Sequence, residues 1–89
     1  MKKLVEVIEV ENEGLLALIG KKVLLFCLNY IYTGVLTGVN ESCVLLEKAQ
    51  IVYETGGFQE KKYTNAENLP YSKWYVQKAA IESFGEDGK

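Results

Sequence analysis

The sequence predicts a mainly β domain: a small, strongly bent, five-stranded barrel with a short N-terminal helix. Three observations carry this expectation. Apolar runs of strand length follow one another from Val23 to Thr55, separated by short clusters of turn-forming residues. The first run, VLLFCL at 23–28, is apolar on both parities, so its strand needs cover on both faces. Gly34 then falls inside the second run, where a missing Cβ lets a strand bend hard enough to close a small barrel.

The elements follow in order. Residues 2–11, KKLVEVIEVE, show no clean period and are expected to form an N-terminal arm or edge strand. Asn12 is suited to cap a first helical turn, Glu13 suits the dipole there, and Gly20 suits a left-handed helix end. The spacing therefore predicts a helix over about 12–19, with Leu15, Leu16, Leu18 and Ile19 as its apolar side. The strand KVLLFC ends in a reversal at Asn29 and Tyr30, and IYTGVLTGV forms the second strand. NESC at 40–43 is turn chemistry, and VLLEKAQIVYET is a long third strand. Gly56 and Gly57 signal a tight hairpin into a fourth strand, FQEKKYT. NAENLPYS reads as a loop, KWYVQKAAIESF as the fifth strand, and GEDGK as a frayed tail. One domain spans 1–89, with its core at about 12–84 and a flexible tail at 85–89.

Composition narrows the function. A chain of 89 residues buries only about 60% of its unfolded surface. Yet 48% of the residues are hydrophobic, with six Tyr, three Phe and one Trp, which favours further burial between subunits. The formal charge of −2 gives no global attraction for nucleic acid. All ten basic residues are lysines, so no guanidinium fork is available for phosphate or guanine. With no His, and Asp87 as the only Asp, Ser/His/Asp and Cys/His triads and His-containing metal sites are excluded. No Glu pair sits in an apolar setting, so the chain is expected to be neither an enzyme nor a cofactor carrier. Cys27 and Cys43 lie in separate apolar runs without metal-ligand spacing and read as buried thiols of a reducing compartment. No apolar run reaches the ~18 residues of a membrane span. Glu6 and Glu9 interrupt what would be a signal peptide's apolar stretch, so a cytoplasmic protein with no membrane partner is expected.

The order of these elements resembles the Sm/LSm family, including its bacterial Hfq branch. The likeness covers roughly residues 12–84 and is anchored in VLLFCLNYIYTGVLTGVNESCVLL. The family's first motif sets an apolar residue two places after a strand glycine and an Asp six places after it. Gly34, Leu36 and Asn40 occupy these positions. The last strand is similar to the Hfq-type second motif through Lys78, Ala79, Ala80 and Ile81. The resemblance implies a bent barrel of the Sm or SH3-like kind and a closed ring of like subunits paired through strand edges. It also implies a site for single-stranded RNA.

The family's RNA-site residues transfer incompletely. The loop Asp is replaced by the uncharged Asn40, the base-stacking aromatic by Ser42, and the base-reading Asn of other branches by Val44. Ala79 and Ala80 stand where the family places a His or an Arg-Gly pair, which leaves Lys78 as the matching cation. Stacking contributes roughly 1–3 kcal/mol per base, so most of a familiar pocket is lost. Asn40 and Lys78 remain the candidate RNA-binding residues. Each also has an ordinary reading: Asn40 as a turn residue bonding its own backbone, Lys78 as a solvated or inter-subunit lysine. Trp74 and Tyr75 serve either for stacking or for interface packing. Lys61 and Lys62 beside Tyr63 form a basic-aromatic patch or a solvated strand face. The expected function is a divergent Sm-like homo-oligomeric ring of roughly five to seven subunits. Its RNA binding is expected to be weak or absent, and its role structural or protein-interacting with an unidentified protein partner. The alternative is an RNA-binding or RNA-chaperone ring.

Overall fold

The computed structural model describes residues 14–89, so the expected arm at 2–11 and the caps Asn12 and Glu13 lie outside the described residues. Six strands form one antiparallel sheet: β1 (Lys22–Cys27), β2 (Ile31–Val39), β3 (Cys43–Glu54), β4 (Asn65–Asn68), β5 (Trp74–Gln77) and β6 (Ile81–Glu86). The hydrogen-bonded path runs β4-β3-β2-β1-β6, and β5 pairs with β3 beside β4. Long β3 thus serves two partners along one edge. Its first residues, Cys43 to Leu46, face β5, and Gln50 to Glu54 face β4.

The core lies between the inward faces of these strands. Val23 and Leu25 of β1, Leu36 of β2, Val44, Leu46 and Ala49 of β3, and Val76 of β5 form one buried cluster. The period-2 alternation of β1 places Val23 and Leu25 there, while Leu24 and Phe26 take the other face. That second face is only partly covered: the Phe58 ring meets Phe26 edge-on with centroids 6.5 Å apart. The cover on this face comes from the loop between β3 and β4.

Gly34 lies where β2 bends. Thr33 pairs with Gln50 and Val35 with Glu47, so Gly34 is opposed by two residues, Lys48 and Ala49. This is a β-bulge, and Lys48 adopts the left-handed φ of 55°.

Five expectations are corrected. The helix over 12–19 is a single 3₁₀ turn at Leu15–Leu18, confined between Gly14 at φ 70° and Gly20 at φ 91°. Leu15 and Leu18 still pack on the core, and Gly20 and Leu36 are joined by a 2.7 Å backbone hydrogen bond. Five strands become six. FQEKKYT forms turns and bends, and the strand in this region is β4, in the segment read as a loop. The ladder opens here because other groups take over its partners. The Lys89 ammonium donates to the carbonyls of Thr55 and Gly57, both at 2.9 Å, and the Tyr63 hydroxyl turns inward to Asp87 at 2.6 Å.

The expected last strand is cut by a second 3₁₀ turn, Lys78–Ala80, into β5 on β3 and β6 on β1. Residues 85–89 do not fray as expected: β6 continues to Glu86 and the Asp87 side chain is only 2% exposed. Asp87 accepts from the Tyr63 hydroxyl, the Lys89 backbone N–H and the Thr33 hydroxyl, whose single proton also has the Val23 carbonyl within reach. The pairings leave one side of β4, β5 and β6 without a strand partner among the described residues.

Candidate functional site

The turn between β2 and β3 is built around Asn40. Its Oδ1 accepts the backbone N–H groups of Ser42 and Cys43, each at 2.8 Å, and the Ser42 hydroxyl at 3.3 Å. The Asn40 N–H donates in turn to the Cys43 carbonyl at 3.0 Å. This is a side chain mimicking a backbone turn, and it commits the amide oxygen locally. The amide nitrogen has no hydrogen-bond partner among the described residues.

The second 3₁₀ turn brings Lys78 to the same place. Its N–H donates to the Ser42 carbonyl at 2.8 Å, so Asn40 and Lys78 are joined through Ser42 although they lie far apart in sequence. No salt bridge engages Lys78 among the described residues. The pair offers an amide donor and an ammonium, which suits a carbonyl or phosphate oxygen. It offers no ring: Ser42 and Ala79 are both exposed and neither can stack a base.

Beside this turn lies a cleft of 280 Å³, flanked by Gln77 and Ala80 and walled by Leu28, Tyr30, Tyr32 and Trp74. Three tyrosines and the tryptophan form a chain of rings. Tyr30 and Tyr32 have centroids 6.3 Å apart, Tyr32 and Trp74 6.1 Å, and Tyr71 and Trp74 6.0 Å, the last pair stacked at 18°. Trp74 and Tyr75 stood out in the sequence, but Tyr30, Tyr32 and Tyr71 did not. Tyr30 lies just before β2 and Tyr32 within it, and their i, i+2 spacing was the signal available. Much of this apolar surface is open: Leu28 is 70% exposed, and Tyr71 and Tyr75 are each 61% exposed.

Cys27 lines the same cleft, and burial raises its thiol pKa, which keeps the sulfur protonated and a poor nucleophile. Tyr32 is also shifted upward, by burial first and then by Cys27 and Tyr30. Cys27 and Cys43 are both free. Among the described residues, no three His, Cys, Asp or Glu side chains are grouped to hold a metal, and no helix is long and apolar enough to cross a membrane. No protein-family model matches the chain, and no curated protein sequence matches it.

Proposed function

We propose that this chain is a divergent Sm-like protein whose sheet closes into a strongly bent barrel and assembles into a homo-oligomeric ring. Its main role is structural or protein-interacting, and its RNA binding is weak or absent. The observation that carries this reading is β5: among the described residues it is paired on one side only, and it carries exposed Tyr75 among Leu28, Tyr30 and Tyr71. An unpaired strand edge next to an open apolar surface favours another strand in that position. Barrel closure is supported by the three-residue turn Lys78–Ala80, which holds β5 on β3 and β6 on β1 within one continuous segment. In the ring, the β5 edge of one subunit meets the β6 edge of the next, and exposed Phe84 on β6 is covered there. The free thiols fit a reducing, cytoplasmic setting.

The weak-RNA part rests on Asn40, whose amide oxygen is occupied within its own turn. The RNA-binding alternative is favoured by one feature, the joining of the Asn40 turn to Lys78 through the Ser42 carbonyl. Fluorescence anisotropy of labelled U-rich and A-rich oligoribonucleotides separates the two. The proposal expects no affinity tighter than the ordinary non-specific range of about 10⁻⁴–10⁻⁶ M, falling further with salt. Tight binding that Asn40→Ala or Lys78→Ala weakens would replace it with the RNA-binding ring.

A further inference from the structure

We propose a second site, independent of the ring: the cleft between β1, the β3–β4 loop and the segment after β6 binds a small phosphate-bearing anion of the diphosphate type. Lys22, Lys61, Lys62 and Lys89 all line this one cleft of 330 Å³, together with Gln50 and Thr64. The lysines come from three separate parts of the chain, so their convergence is a product of the fold. Here a chain of net charge −2 gathers four of its ten positive charges.

The counter-charges do not cancel this field. Among the described residues no Asp or Glu side chain lines the cleft. Asp87 lies 3.8 Å from the Lys22 ammonium and offsets part of its charge, but its side chain is only 2% exposed, which leaves the Lys61, Lys62 and Lys89 ammonium groups without an ion-pair partner among the described residues. Glu60, Glu86 and Asp87 line an adjoining cleft, of which Lys61, Tyr63 and Lys89 form a shared wall. The Lys89 ammonium is fixed by the Thr55 and Gly57 carbonyls and lies 4.9 Å from the centre of the Tyr63 ring. Carbonyls and a ring orient this cation without neutralising it. Lys61 and Lys62 are exposed and form no salt bridge among the described residues, so their ammonium groups are available to a ligand.

Like charges held together by the fold repel one another, and an anion between them relieves that repulsion. Lysines act as point charges and lack the planar fork of arginine, so the site selects for charge more than for shape. A multiply charged anion therefore binds better than a singly charged one. The volume lies near the lower end of the ~300–1,000 Å³ range of small-molecule sites, which suits a pair of phosphate groups better than a polymer.

Isothermal titration of the full chain with inorganic pyrophosphate at low salt tests the site. The expected result is saturable binding of one pyrophosphate per chain, tighter than that of inorganic phosphate. It weakens by about tenfold or more in the double variant Lys61→Ala/Lys62→Ala and in Lys22→Met. Lys73→Ala, outside the cleft, leaves it unchanged, and matching thermal melts show that the variants are folded. The proposal is overturned by an absence of binding at millimolar pyrophosphate, or by equal binding in the parent and the double variant. It is also overturned if these lysines capture a single-stranded oligonucleotide that pyrophosphate does not displace.

Discussion

A Cβ placed on Gly34 would lie 3.1 Å from the Cα of Ala49 and 3.1 Å from the Glu47 carbonyl oxygen. Both contacts are with backbone, which cannot rotate away as a flexible side chain would. The bulged segment of β3 presses against β2 at this point, and the absence of a side chain on Gly34 lets it do so. Gly34→Ala is therefore expected to destabilise the fold by about 1–3 kcal/mol through overpacking. Urea unfolding followed by circular dichroism reads this as a lower midpoint at unchanged slope, and a midpoint equal to the parent's contradicts it.

Lys48, on the other strand of the same bulge, bears the conformational cost. Its φ of 55° crowds the Cβ against the backbone, a cost of roughly 1–2 kcal/mol for a residue with a side chain. Lys48→Gly removes that crowding but loosens the unfolded chain, so a net gain of up to about 1 kcal/mol is expected. The β-branched Lys48→Val should destabilise instead. The same urea series gives both signs, and a stabilised valine variant would rule out the left-handed conformation.

Asp87 makes stability depend on acid. Burial raises its carboxyl pKa, but hydrogen bonds from Thr33, Tyr63 and the Lys89 N–H, with the Lys22 charge, outweigh burial and hold it below the ordinary value. The folded pKa lies below the unfolded value of about 3.9. The contribution is therefore fully present above that pH and is lost as pH falls through the folded pKa. Asp87→Asn should cost about 1.5–3 kcal/mol at neutral pH, the usual scale for bonds to a charged group. Its melting temperature should also fall less than the parent's between neutral pH and strong acid. Parallel curves for the two proteins would exclude Asp87 as the responsible group.

The partner phenol reports the same cluster from the alkaline side. Burial first, then the hydrogen bond and charge of Asp87, raise the Tyr63 pKa, and the Thr33 contact opposes them only in part. In a spectrophotometric titration Tyr63 should stay protonated well above the ordinary tyrosine value of about 10. Asp87→Asn should bring its ionisation to lower pH. Tyr63→Phe should remove that late step and cost about 1 kcal/mol.

The opened edge should be sensitive to charge. Tyr75→Lys places an ammonium on β5 where a neighbouring subunit would pack, a substitution of the kind that blocks edge pairing. The variant should sediment as a smaller species while keeping the parent's far-ultraviolet spectrum. An unchanged sedimentation coefficient would put the interface elsewhere.

The first three strands were legible because their stability comes from apolar faces, whose spacing is written locally: Val23 and Leu25, Leu36, Val44 and Leu46 all belong to the core. Gly34 was legible for the same reason, as a gap in an apolar run. β4 was not. Its four residues, NAEN, are held mainly by backbone pairing to β3 and by the Gln50–Asn68 amide contact of 2.7 Å, neither of which leaves an apolar period. The fixed end of the chain was hidden too, because Asp87 is ordered by Thr33 and Tyr63, 54 and 24 residues away. At the site, the turn role of Asn40 could be read from residue type alone. The meeting of Asn40 and Lys78 could not, since it depends on the 3₁₀ turn that interrupts the last apolar run.

Self-association is tested most directly by the mass of the native particle, measured by light scattering on a size-exclusion column across a wide range of protein concentration. The expected result is one discrete mass, about five to seven times the chain mass of 10.0 kDa, that persists on dilution. A particle of 10.0 kDa at every concentration would contradict the ring and leave the open edge and apolar face of β5 to a different partner.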